Sequence, residues 1–166
     1  MNLFFDCEFT SLPHDCQESS ALVSIGIIAD DGRTFYVENA DMQEELCDGF
    51  VRHQVLPLLT SGDMCMPYSQ IAQRMKDWIE VFEDETTMLT DEPHIHWPAV
   101  LDLFNTYGWP KNLIREPVKI LFEFERQQSY FLANLQRAFV TLKLREHHAL
   151  DNAKARRFAY NAVTAR

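Results

Sequence analysis

Two acidic side chains, Asp6 and Glu8, stand two residues apart at the end of the apolar segment NLFFDCEF. A short apolar run of this kind predicts a buried strand, and side chains at positions i and i+2 of a strand point to the same face. The two carboxylates can therefore bind one hard cation through their oxygens. The D-x-E spacing is common by chance, and for the isolated pair an ordinary solvated strand edge is the alternative.

The segments around this pair predict an α/β fold. ALVSIGIIAD and TFYVEN flank Asp31-Gly32, which predicts a β-hairpin after the first strand, and residues 11–20 predict a loop. Apolar residues recur at helical spacing over 42–59, 67–82, 96–107 and 125–144, and ALDNAKARRFAYNAV predicts a last amphipathic helix. TTMLTD predicts a short strand, and PVKILFEF predicts either a strand or an extended entry into a helix. This order favours a mixed sheet flanked by helices.

Length and composition limit the alternatives. A chain of 166 residues that is 46% hydrophobic predicts one domain over 1–166. The formal charge of -10 argues against a broad basic surface, so a nucleic acid would have to be held locally, through cations at clustered carboxylates. Cysteines without C-x-x-C spacing, and a start without a basic, apolar leader, predict a reduced, soluble, cytoplasmic protein with no membrane span.

Three motifs together resemble a known family. FFDCEFT near the start, SIGIIADDGRTFYVEN after it and HHALDNAKA near the end are similar to the DEDDh 3′-5′ exonucleases of the ribonuclease H-like superfamily. Within them, the chain resembles the small bacterial and phage group of 3′-5′ exoribonuclease-like domains. The resemblance runs from Met1 to about Ala162, with TDEPHIHWPAVLDLF and GWPKNL as looser matches. It implies a ribonuclease H-like mixed sheet flanked by helices.

The resemblance also implies a two-metal phosphodiesterase that uses Mg²⁺ or Mn²⁺. Asp6 would bridge both cations, Glu8 would bind one of them, and His147 would be the general base, since an imidazole titrates near neutral pH. Phe9 and Thr10 would contact the terminal nucleotide. Trp97 is the best candidate for stacking on a base, and a homodimer is compatible with the family.

Two positions depart from the family pattern. The metal-binding aspartate that follows the histidine by five residues is Asn152 here, and the aspartate of the second motif is His96. Asparagine keeps an oxygen ligand without its charge, and imidazole prefers transition metals to Mg²⁺. We therefore expect weaker metal binding, or a preference for Mn²⁺, at a set of ligands made of Asp6, Glu8, Asn152 and His96.

Three explanations of these departures stay open. The chain is a degenerate nuclease that still binds nucleic-acid ends, or an active enzyme in which Asp151, Asp91 or His96 compensates, or a sequence altered to trap substrate. Asp91 is more readily explained as a structural or loop-capping residue, and Asp151 as a helix cap.

Several further residues can be interpreted either as structural or surface residues or as functional ones. His148 is expected to pack or meet solvent, while His14, His53 and His94 are expected on the surface. A basic C-terminal segment could contact phosphates, although a solvated helix face is the simpler interpretation; its members are Lys143, Arg145, Lys154, Arg156, Arg157 and Arg166.

Two functional hypotheses follow from the sequence. The leading one is a metal-dependent exonuclease that removes nucleotides from the 3′ end of RNA or another single-stranded nucleic acid. The alternative is a catalytically weakened nucleic-acid-binding or regulatory module that keeps the exonuclease fold, and His96 and Asn152 motivate it.

Overall fold

The computed structural model of the protein describes residues 1–11 and 20–165. Within them six strands form one sheet: β1 (Asn2–Phe9), β2 (Leu22–Ala29), β3 (Thr34–Asn39), β4 (Cys65–Met66), β5 (Thr87–Thr90) and β6 (Val118–Lys119). The order across the sheet is β4-β3-β2-β1-β5-β6. The strands β1, β2 and β3 are antiparallel, as the hairpin pattern predicts, whereas β5 runs parallel to β1 and to β6. The sheet is therefore mixed.

The helices match most of the predicted segments. They are α1 (Tyr68–Glu80), α2 (Pro93–Tyr107), α3 (Glu125–Thr141) and α4 (Ala149–Thr164). Helix α2 starts three residues earlier than predicted, at a proline, because proline fits the first helical turn. Helix α3 ends three residues early, and Lys143 beyond it has a positive φ of 54°. PVKILFEF contributes a strand only at Val118–Lys119.

The prediction of a continuous helix over 42–59 is wrong. The segment consists of short helical turns at Glu44–Leu46, Val51–Val55 and Leu56–Leu58. A proline within the last of these turns lacks the N–H that a continuing helix needs. The apolar spacing instead reflects Val51 and Val55, which pack together in a small buried cluster.

Alternation along β1 decides which side chains reach the site. Leu3, Phe5 and Cys7 pack into the core cluster that α1 and α2 cover, whereas Phe4 packs into the cluster formed with α3 and α4. Because the side-chain period of a strand is two, Asp6 and Glu8 share the face of Phe4. They therefore face α4.

Close packing of α4 on β2 depends on Gly26, which pairs with Asp6 across the sheet. A Cβ atom built on Gly26 would lie 2.1 Å from the backbone nitrogen of Leu150. Glycine thus allows the first turn of α4 to rest directly on the sheet. This contact brings the helix next to Asp6 and Glu8.

The fold confirms the predicted class, an α/β protein with a mixed sheet flanked by helices, consistent with a ribonuclease H-like fold. Most of the predicted loop over 11–20, together with His14, Cys16 and Arg166, lies outside the described residues. In the part of the chain that is described, no helix combines the length and apolar character needed to cross a membrane.

Candidate functional site

A cavity of about 190 Å³ lies where the end of β1 meets the starts of α2 and α4. It brings together residues from the first and last predicted motifs, which are separated by more than a hundred positions in the chain. Its lining includes Asp6, Glu8, Phe9, Phe50, His96, His147, Asn152 and Arg156. The predicted catalytic and metal-binding residues therefore surround one space.

Asn152 joins the two carboxylates. Its side-chain Nδ2 donates hydrogen bonds to Asp6 Oδ2 and to Glu8 Oε1, each at 3.0 Å. Since both acceptors are carboxylate oxygens, the amide must turn its NH₂ group toward them. The amide oxygen that could bind a cation therefore points away from Asp6 and Glu8.

His96 is buried and lies next to Asp6, with its Nε2 atom 3.2 Å from Asp6 Oδ1. The backbone N–H of Cys7 donates to His96 Nδ1 at 3.3 Å, so the neutral ring carries its hydrogen on Nε2. Burial, outweighing the charge of Asp6, lowers the pKa of His96 and keeps the ring neutral. A metal needs a free lone pair on the nitrogen that faces it. The Cys7 hydrogen bond therefore opposes the ligand role predicted for His96.

Arg156 is a component of the site that its place in the predicted basic strip did not reveal. The residue is only 8% exposed. Its Nη1 atom lies 2.8 Å from Asp6 Oδ1, and its Nε atom donates to Asp91 Oδ1. Burial disfavours the charge, but Asp6 and then Asp91 outweigh burial and raise the pKa of Arg156 above its ordinary value. A permanent cation therefore lies against Asp6.

The pKa of Glu8 is shifted by burial and by the neighbouring acid in this site. Burial first, and then the charge of Asp6, raise the pKa of Glu8 to about 9, against the opposing effect of Arg156. In the absence of a further cation, Glu8 is thus protonated at neutral pH. Two close acids of which only one is paired with a guanidinium behave in this way because both cannot ionise without cost.

The two adjacent histidines separate as predicted. His147, with a positive φ of 64°, is partly exposed at the cavity wall, and its ring meets the edge of Phe50 at 4.9 Å between centroids. His148 is buried, stacks on Tyr36 at 4.5 Å and forms the N-cap of α4 by accepting from Asp151 N–H. The left-handed backbone at His147 turns the two rings apart.

Asp151 belongs to the helix start and lies outside the cavity lining. Arg145 donates to its Oδ2 atom at 2.7 Å, and Lys154 donates to its Oδ1 atom at 3.1 Å. Burial would raise the pKa of Asp151, but the hydrogen bonds from Arg145 outweigh it and the pKa is lowered. Asp151 and Asp91 are thus paired with cations. The basic residues of the C-terminal segment therefore do not form one surface, because Arg157 donates elsewhere, to the backbone oxygen of Asp30.

The predicted nucleotide contacts fall in different environments. Phe9 lines the cavity, and its ring is stacked near His96 at 6.3 Å between centroids. Thr10 is 1% exposed, and its hydroxyl accepts from the N–H of Ala21. Trp97 is 7% exposed and packs edge-on against Phe5 in the core. The predicted contacts of Thr10 and Trp97 therefore conflict with their burial, because a base could stack on Trp97 only if the core opened.

Phe50 is an aromatic side chain at the cavity that the sequence did not single out. It is 39% exposed and lines the cavity beside His147. The helical pattern over 42–59 concealed it, because an exposed position in a predicted amphipathic helix needs no explanation. Arg156 had a detectable signal: it follows Asn152 by four residues, which places both on one face of α4.

The residues present suit one cation better than two. Asp6 and Glu8 share a strand face, and the oxygen of Asn152 would join them if its amide turned over. A second cation would need the further carboxylates that the resemblance implies at positions 96 and 152, where this chain has His96 and Asn152. Across residues 1–11 and 20–165, no three or more His, Cys, Asp and Glu side chains are grouped to hold a metal ion. The two-metal arrangement implied by the resemblance does not fit this set of side chains.

Comparison with known proteins gives a partial match. Two 3′-5′ exoribonucleases, from two strains of Mycobacterium tuberculosis, are each 37% identical to this chain over 59 residues. The match covers 36% of this chain and 33% of each relative, so it spans about one third of their length. No family model matches the chain. The chain is thus distantly similar, over part of its length, to proteins named as exoribonucleases.

Proposed function

We propose that this chain is a 3′-5′ exonuclease of the DEDDh type that acts on RNA or another single-stranded nucleic acid with weakened, metal-dependent turnover. The supporting observation is the convergence of Asp6, Glu8, Asn152 and His147 on one cavity. The partial similarity to exoribonucleases favours RNA among the substrates.

His147 is proposed to accept the proton of the attacking water. Its ring is at the cavity wall and partly exposed, so a water molecule can reach it, and a neutral imidazole nitrogen can accept a proton. The positive φ before α4 and the edge contact with Phe50 hold the ring in place. Attack would break the bond between the terminal phosphate and the 3′ oxygen of the preceding nucleotide, releasing a nucleoside 5′-monophosphate.

Two aromatic side chains line the cavity in which the terminal nucleotide would bind. Phe9 and Phe50 both line it, and aromatic side chains are stacking surfaces for bases of any sequence. A second cavity of about 560 Å³ adjoins the first and shares Phe9 and Ile95 with it. A phosphate at Glu8 and His147 would leave room there for the rest of the nucleotide.

Asp6 and Glu8 are the residues proposed to hold Mg²⁺ or Mn²⁺. A bound divalent cation would offset the phosphate charge and stabilise the leaving oxygen. Asn152 must first release the two carboxylates, and Arg156 competes for Asp6. These contacts are the reason for the slow turnover that we propose.

A second candidate function is binding of a nucleic-acid 3′ end without hydrolysis. It is favoured by the guanidinium of Arg156 on Asp6 and by the amide of Asn152 on both acids, since these donors already neutralise the site. Such a domain would protect or sense ends instead of trimming them.

The test uses single-stranded RNA labelled at its 5′ end, in Mg²⁺ and in Mn²⁺. The exonuclease proposal predicts a ladder shortened from the 3′ end, release of nucleoside 5′-monophosphates, and loss of both in Asp6→Ala and His147→Ala. His53→Ala is the matched control, because His53 is exposed and lies outside the cavity lining.

The outcomes separate the two candidates. Binding of the RNA without shortening in either metal would reject hydrolysis and support the binding module. In that case His96→Asp combined with Asn152→Asp should create cleavage. Absence of both binding and cleavage, with the protein folded, would contradict both candidates.

A further inference from the structure

Arg156 occupies a position with little access to solvent and two acidic partners. Its Nη1 atom is 2.8 Å from Asp6 Oδ1, and its Nε atom contacts Asp91 Oδ1. With 8% exposure, Arg156 is largely shielded from water that could replace these partners. The guanidinium is therefore fixed between the ends of β1 and β5.

Helix α4, which carries Arg156, also carries the second group that donates to the two acids. Asn152 lies one turn before Arg156 on α4, and its NH₂ group donates to both Asp6 and Glu8. One helix face thus delivers an amide and a guanidinium to the two acids. Asp6 is contacted at both of its oxygens by these groups.

We propose that Arg156 is the resident cation of this site, neutralising Asp6 in place of a divalent metal, which therefore enters only by displacing the guanidinium. The inference deepens the proposed function and rests on it for the expectation that a cation belongs at Asp6 and Glu8. It concerns the protein without nucleic acid, so its test is independent of any hydrolysis.

The competing interpretation is structural, with Arg156 serving only to tie α4 to the end of β5. Both interpretations predict that removal of Arg156 lowers stability. They differ in metal binding, because only a guanidinium that competes for the acids changes the affinity of the site for a cation. Metal affinity is therefore the informative measurement.

The experiment is a titration of the full chain with Mn²⁺. Binding is measured by calorimetry and by the electron paramagnetic resonance signal of free Mn²⁺. We expect Arg156→Gln to bind Mn²⁺ at least about tenfold more tightly than the unaltered protein, because a like charge next to the site is removed. Arg156→Lys, which keeps the charge, should stay close to the unaltered protein.

Lys154→Gln is the matched control, since it removes one positive charge from the same helix at a side chain that contacts Asp151 outside the cavity lining. A gain of equal size in Lys154→Gln would overturn the proposal, because it would indicate a general charge effect. Asp6→Asn in the Arg156→Gln background should abolish the gain.

Folding of Arg156→Gln is followed by circular dichroism. A folded variant that binds Mn²⁺ no more tightly than the unaltered protein would contradict the proposal. If Arg156→Gln does not fold without metal, refolding in Mn²⁺ should rescue it, because the metal would then neutralise Asp6. Failure of that rescue would also contradict the proposal.

Discussion

Glu38 and Asp6 are both 2% exposed, on strands that flank β2, yet their carboxylates are neutralised in different ways. Glu38 accepts hydrogen bonds from the N–H groups of Thr60 and Ser61 and from the hydroxyls of Thr60 and Tyr36, at 2.6 to 2.9 Å. All of these donors are neutral. Asp6 instead meets a guanidinium and has a second acid, Glu8, on its own strand face.

The difference separates a structural acid from the acids of the proposed site. Neutral donors of Thr60 and Ser61 in one loop, and of Tyr36 on β3, surround the carboxylate of Glu38, which anchors that loop to β3 and needs no cation. Asp6 and Glu8 cannot both ionise beside one arginine, so Glu8 keeps its proton until another cation, or a phosphate bound through one, enters the site. Burial alone would not have distinguished the two.

Arg156→Met removes the cation next to Asp6 and should have the largest effect on stability. It leaves a buried carboxylate without its cation, and we expect a loss of about 3 to 5 kcal/mol in the free energy of unfolding in a metal-free buffer. Urea denaturation measures it. The double variant with Asp6→Asn should recover much of the loss, and simple additivity of the two changes would contradict the pairing.

Gly26→Ala should disturb the same site through the backbone. The new Cβ would overlap the first turn of α4, which must move away from Asp6 and Glu8. We expect a loss of about 3 kcal/mol, at the upper end for an overpacked core. Thermal and urea denaturation measure the loss, and Gly49→Ala is the control because a Cβ there meets open space. Equal stabilities of the two variants would contradict this packing argument.

Glu38→Gln tests the other side of the comparison. It places an NH₂ group toward an N–H or hydroxyl donor and should lower the free energy of unfolding by about 2 kcal/mol. Because the donors around Glu38 are neutral, Mn²⁺ affinity should be unchanged. A change in metal binding as large as that expected for Arg156→Gln would show that the two acids are not separate.

A pH dependence of stability is also expected, and it comes from Glu8. Burial and then Asp6 raise its folded-state pKa from 4.5 to about 9, so the folded chain keeps a proton that the unfolded chain releases. This contribution to stability is complete below about pH 4.5 and is lost as the pH rises through about 9. Burial also raises the pKa of Cys7, so only a comparison with a variant that lacks the Glu8 carboxyl isolates this contribution.

Urea denaturation in a metal-free buffer, from neutral pH upward, measures this dependence. The unaltered protein should lose stability relative to Glu8→Gln as the pH rises, since glutamine does not titrate. Parallel curves for the two proteins would exclude a raised pKa at Glu8.

The sequence predicted the opening strands, the hairpin turn and α4, because their patterns are local. Asp6 and Glu8 face α4 for the simple reason that strand side chains alternate. The helix predicted over 42–59 was wrong because the prediction relied on the apolar periodicity and gave too little weight to a proline. The two-residue strand at Cys65–Met66 is too short to leave a sequence pattern. Local signals therefore carried most of the fold.

The sequence predicted which residues line the site better than it predicted their orientations and protonation states. The motifs named residues that the fold brings together, but the direction of the Asn152 amide, the tautomer of His96 and the burial of Trp97 depend on neighbours distant in the chain. Arg156 seemed to belong to a basic surface because its partners lie on β1 and after β5. No spacing rule connects such positions.

The most direct test is the anomalous diffraction of crystals soaked in Mn²⁺ and a nucleoside 5′-monophosphate. We predict the phosphate in the cavity lined by Glu8 and His147, with at most one Mn²⁺, bound by Asp6 and Glu8 and with Arg156 displaced from Asp6. A nucleotide bound elsewhere, or two fully occupied Mn²⁺ ions with Arg156 still on Asp6, would contradict this account.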